Sequence, residues 1–85
     1  MLSWKKAGRT VTAAGTDILY EPAGAENTGV IIESRKRHIP HANGIGTWDH
    51  TTYHVLHNGR ELSTKHSLRD AKEYAEALIN KTEEG

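Results

Sequence analysis

The feature that most constrains this chain is the pair Asn58-Gly59, set between two runs of alternating polar and apolar residues. Both residues accept the positive φ that a two-residue type I′ hairpin turn demands, so they predict a β-hairpin. A two-residue loop also fixes the pairing register. His57 then faces Arg60, Leu56 faces Glu61, Val55 faces Leu62, His54 faces Ser63 and Tyr53 faces Thr64. Side chains alternate between the faces of a sheet. Tyr53, Val55 and Leu62 therefore form an expected core face. His50, Thr52, His54 and Leu56, with Glu61, Ser63 and Lys65, form an expected polar face.

A helix follows the hairpin. Ser67 is placed to cap it, and Asp70 three residues on completes a capping-box-like start. Leu68, Ala71, Ala75, Leu78 and Ile79 then recur at helical spacing as one apolar stripe, with Lys72, Glu73, Glu76 and Lys81 off it. Upstream, 10–13 and 16–21 flank Ala14-Gly15 as a candidate hairpin. The stretch 29–39 opens with β-branched residues, and 47–57 is rich in Thr, Tyr and Val. Loops are expected over 21–29 and 40–46. The predicted fold is α+β: a small antiparallel sheet of four or five short strands with one C-terminal helix packed on one face. With 85 residues, the chain reads as a single domain over 1–85, with N-terminal strands and loops over 1–46 and the hairpin plus helix over 47–82.

Composition excludes several classes. Eleven Lys and Arg balance eleven Asp and Glu, which disfavours a strongly basic nucleic-acid binder as a whole-molecule reading. The chain has no cysteine, so disulfides and thiolate zinc sites are ruled out. No apolar run approaches the roughly twenty residues of a membrane span, and the first residues carry no apolar signal core. A cytoplasmic protein that does not engage a membrane is expected.

Six histidines stand out: His38, His41, His50, His54, His57 and His66. His50 and His54 share a strand face but lie about 13 Å apart at strand rise, too far to chelate one ion. No metal, cofactor or enzymatic site is expected. The order Asp49-His50, Asn58, His66 is superficially like that of ββα-metal nucleases, but the predicted helix over 67–81 contains no histidine to complete that site. The basic run Ser34-Arg35-Lys36-Arg37-His38 puts Arg35 and Arg37 on one face and Lys36 and His38 on the other. Two readings stay open: an edge strand guarded by charge, or a phosphate-facing patch. Trp48 alternates onto the face opposite Tyr53 and Val55. Either a bulge turns it into the core, or it is an exposed aromatic anchor.

The cadence Trp48, Tyr53-His54-Val55, Asn58-Gly59-Arg60, Ser67-Leu68-Arg69-Asp70-Ala71-Lys72 and Ala75 resembles the strand-hairpin-helix ending of small phage-encoded and actinobacterial accessory proteins. It is also similar to the sheet-plus-helix arm-binding domains of tyrosine recombinases and to AP2-like domains. The resemblance covers about a third of the chain. It implies a viral accessory protein that sets the polar sheet face into DNA, with His50, Thr52, His54, Arg60 or Glu61, Lys65, Arg35 and Arg37 toward the duplex. The expected binding residues are Arg35, Lys36, Arg37, His50, His54, Lys65 and Trp48. The expected function is a non-enzymatic binding module for DNA or, alternatively, an inhibitor or adaptor for a host protein.

Overall fold

The computed structural model describes residues 3–42 and 44–84, with side chains through Lys81. Five strands, β1 (Trp4–Thr12), β2 (Gly15–Pro22), β3 (Val30–Pro40), β4 (Thr47–His57) and β5 (Arg60–Lys65), precede one helix, α1 (Leu68–Glu84). The strands form one antiparallel sheet in sequence order, β1-β2-β3-β4-β5. This is the expected α+β architecture with five strands, although β3 and β4 are not short: each runs eleven residues. A 3-10 turn over Glu26–Thr28 interrupts the predicted loop between β2 and β3.

The helix starts where the sequence places it, and the Asp70 amide donates to the Ser67 hydroxyl at 3.1 Å. Ala71, Ala75 and Ile79 form its buried stripe and pack with Val30, Ile32, Val55 and Ala25. The two alanines remove side-chain bulk, which lets the helix lie close to the sheet. Trp4, Tyr20, Tyr53, Leu68 and Leu78 close around this core as half-buried neighbours.

The β1–β2 tip falls one residue earlier than expected. Thr12 pairs with Gly15, so Ala13-Ala14 make the turn. Gly15 instead serves a close approach to β3: a Cβ there would lie 1.8 Å from the Lys36 carbonyl oxygen. At the other end, Asn58 has φ 52° and Gly59 φ 86°, as a type I′ turn requires. The Asn58 amide donates to the Gly29 carbonyl at 2.9 Å, which ties this turn to the start of β3.

The predicted β4–β5 register holds only for the first two pairs. His57 pairs with Arg60 and Leu56 with Glu61, but Val55 pairs with Ser63, His54 with Thr64 and Tyr53 with Lys65. A bulge at Leu62 inserts one residue, and every later side chain on β5 changes face. Leu62, expected in the core, is 39% exposed, and Ile79 of the helix is buried in the core. Lys65, expected on the polar face, shares the helix side with Tyr53, its ammonium 5.1 Å from the centre of the Tyr74 ring.

The basic run does not lie on an edge strand. β3 is the central strand, paired with β2 through Arg37 and with β4 along its whole length. The edge-guard reading of Arg35 and Arg37 is therefore overturned.

The burial pattern predicts a sharp contrast. Ile79→Ala should lower unfolding stability by about 2–5 kcal/mol, because it opens a cavity under the helix. Leu62→Ala should cost less than about 1 kcal/mol, since a half-exposed side chain loses little burial. Urea denaturation of both variants tests this; equal losses would place Leu62 in the core.

Candidate functional site

Along one face of β3 run Val30, Ile32, Ser34, Lys36 and His38, and the last two are exposed. They pair in order with His57, Val55, Tyr53, Thr51 and Asp49 of β4. The helix packs on the end that holds Ile32 and Val55. The other face carries Ile31, Glu33, Arg35, Arg37 and Ile39, paired with Leu56, His54, Thr52, His50 and Trp48. We call these the inner and outer faces. Among the described residues, no helix covers the outer face.

The outer-face charges are matched to one another. Arg37 reaches across β2 to Asp17, with nitrogen–oxygen distances of 2.5 and 3.3 Å. The guanidinium holds the Asp17 carboxyl below its ordinary value of 3.8 by hydrogen bonding, against a smaller opposing cost of burial. Arg35 pairs with Glu33 two residues away on the same face. Both arginines predicted to face phosphate thus already have a carboxylate partner.

His54 is also committed. It is only 9% exposed. Its Nδ1 meets the Glu61 carboxylate and lies 3.3 Å from the Thr64 hydroxyl, and its Nε2 lies 2.9 Å from the Thr52 hydroxyl. In the neutral ring, donation from Nδ1 to the carboxylate leaves Nε2 to accept from Thr52. This network orders the outer face between β4 and β5. It leaves the imidazole no free edge for a ligand, contrary to the expectation of a binding histidine.

Beyond the β1–β2 tip, β3 and β4 continue as a two-stranded ribbon through His38–Asp49, Ile39–Trp48 and Pro40–Thr47. Trp48 is 45% exposed on the outer face. No bulge among the described residues turns it inward, so the buried alternative fails and Trp48 is an exposed aromatic side chain. Its ring meets His50 edge-on at 5.7 Å, and His50 lies 6.3 Å from the His66 ring. Ile45, between β3 and β4, is 76% exposed. On the inner side of the same ribbon, Asp49 accepts from His38 Nδ1 at 2.6 Å and pairs with Lys36 at 3.3 Å. These two partners, His38 foremost, lower the Asp49 pKa.

The seven predicted residues therefore do not form one surface. Arg35, Arg37, His50, His54 and Trp48 share the outer face, and Lys36 and Lys65 share the inner one. In the sequence, Lys5, Lys6 and Arg9 extend the basic run into a candidate positive patch, but the β1 register that sorts them by face is hidden there. A bulge between Lys6 and Gly8 aligns Arg9 with Ile18 and turns it to the inner face. Gly8 was the available signal, since glycine within a strand often marks a bulge.

Among the described residues, no group of three or more His, Cys, Asp or Glu could hold a metal ion. No helix among them is long and apolar enough to cross a membrane. Compared with family models, curated proteins and solved structures, the chain finds no match, so a functional reading rests on this geometry.

The Asp17–Arg37 pair makes a pH prediction. Its stabilising contribution is fully present above the ordinary aspartate value and is lost as pH falls through the lowered folded value. In an NMR carboxyl titration, Asp17 should titrate below 3.8 and return toward it in Arg37→Gln. An unchanged Asp17 midpoint in that variant would show that the arginine does not set it.

Proposed function

We propose that this chain is a non-enzymatic binding module whose partner is a protein, contacted by the outer face at the far end of the β3–β4 ribbon. The observation that carries this reading is the uncovered Ile39–Trp48 cross-strand pair, lying beyond the β1–β2 tip. Trp48 offers a large rigid ring with exposed apolar area, and such aromatics dominate the energetics of protein interfaces. Ile39 widens the apolar patch, and His50 packs the edge of the indole. The paired arginines favour the same choice. Arg35 and Arg37 carry balancing carboxylates, so the outer face presents phosphate with acids as well as bases. This supports the adaptor alternative over DNA.

DNA keeps a second reading through one feature. The projecting ribbon is a two-stranded antiparallel element, the shape that β-ribbon readers insert into the major groove, and it carries Arg37 and His50 near its end. Surface ion pairs of the Arg35 and Arg37 kind contribute only about 0–1 kcal/mol, so phosphate could displace their partners. A phage-type accessory role fits either partner.

A photo-crosslinking residue placed at His50, beside Trp48 on the outer face, compared with one at Glu73 on the helix exterior, tests the choice in cells of the protein's source. The His50 position should yield a discrete protein adduct that Glu73 does not. Trp48→Ser should weaken the purified pair by about 2 kcal/mol or more while changing stability by less than about 1 kcal/mol. Random duplex DNA should bind negligibly even at low salt. Tight DNA binding with a steep salt slope that falls by about two in Arg35→Gln/Arg37→Gln would instead establish the nucleic-acid reading.

A further inference from the structure

The inner face holds a second feature, independent of the Trp48 patch. Where the helix no longer covers the sheet, an open depression of about 300 Å³ is lined by Arg9, Thr16, Ile18, Ser34, Lys36, Thr51 and Tyr53. The register explains why these meet. Thr16, Lys36 and Thr51 form one cross-strand row, and Arg9, Ile18, Ser34 and Tyr53 form the next. Four strands thus supply two cations and four hydroxyls to one concavity, and no carboxylate lines it.

Three observations point to an anionic ligand. Ser34 is 7% exposed at this site, and its hydroxyl makes no hydrogen bond among the described residues. That oxygen still reaches solvent in the depression, so a ligand oxygen can take the place of water as its partner. Arg9 likewise enters no ion pair among the described residues, and it lies on this face only because of the bulge between Lys6 and Gly8. Bulges re-aim side chains in this way, commonly beside functional sites. Finally, the carboxylate partner of Lys36, Asp49, is shared with His38.

We propose that this depression binds a small phosphate ester. A phosphoryl group offers three acceptor oxygens, matching the spread of donors from Arg9, Lys36 and the hydroxyls better than the two oxygens of a carboxylate. The volume exceeds what a bare oxyanion fills and sits at the lower end of small-molecule sites. Ile18 and the Tyr53 ring supply an apolar wall for the organic part. The ligand is held by charge-assisted hydrogen bonds at one end and by contact with Ile18 and Tyr53 at the other.

NMR titration of amide resonances with AMP, adenosine, inorganic phosphate and a short DNA duplex tests this site. AMP should give saturable shifts at Thr16, Ser34, Thr51 and Tyr53, tighter than inorganic phosphate, while adenosine gives none. Arg9→Gln/Lys36→Gln should keep the dispersed spectrum and weaken AMP at least about tenfold, as expected for losing charge-assisted hydrogen bonds. Ser34→Ala should weaken AMP while leaving the melting temperature nearly unchanged, because the hydroxyl it removes makes no hydrogen bond among the described residues. The assignment is overturned if AMP does not saturate, if its shifts map to the outer face, or if the double variant binds unchanged. It is also overturned if adenosine binds as well as AMP, or if the duplex takes the same amides more tightly.

Discussion

The structure depends on one narrow contact: the stripe of Ala71, Ala75 and Ile79 seated on Val30, Ile32 and Val55. A helix of seventeen residues is about 25 Å long, whereas an eleven-residue strand reaches about 37 Å. One helix therefore cannot shield the whole of β3 and β4, and the molecule extends to 52 × 22 × 19 Å. The covered end is apolar and tightly packed. The bare end is held by backbone ladders and cross-strand pairs, and it is polar except around Val11, Ile45 and Trp48.

This division explains how a central strand tolerates the run Arg35-Lys36-Arg37-His38. A charge run in the middle of a sheet would be costly if both faces were buried. Here the helix ends its coverage before Lys36, so inner-face charges reach water. On the outer face Arg35 and Arg37 find Glu33 and Asp17. The two faces then differ in electrostatic character. Outer-face cations are balanced locally, while inner-face Arg9 has no carboxylate partner among the described residues and Lys36 shares Asp49 with His38. A neutral chain can in this way hold one locally cationic depression.

Much of this was legible in the sequence. Asn58-Gly59 gives the hairpin, Ser67 and Asp70 give the helix start, and the 3.6-residue spacing gives the stripe that packs on the sheet. Faces were legible wherever alternation ran unbroken, as on β3 and β4. They failed at the two bulges. Nothing in Glu61-Leu62-Ser63 marks an extra residue, so Leu62 was expected inside and Lys65 outside. Between Lys6 and Gly8 the bulge moved Arg9 to the inner face. The position of β3 was illegible for a different reason: sequence shows charge along a strand but not how far a neighbouring helix reaches, and a charged central strand looks like an edge. Pairings such as Asp17 with Arg37, twenty residues apart, follow only once strand order is known.

One helix anchors one end of a continuous sheet and leaves the other end bare on both faces. Native-state hydrogen exchange measures this most directly. Two tiers of protection are expected. Amides of β3 and β4 around Ile32 and Val55 should exchange only through global unfolding and lose protection with Ile79→Ala. Those at His38–Ile39 and Trp48–Asp49 should be protected but open at lower free energy. Equal protection along the full length of both strands would show that the far end is stabilised as strongly as the core, and would contradict the division on which the candidate sites rest.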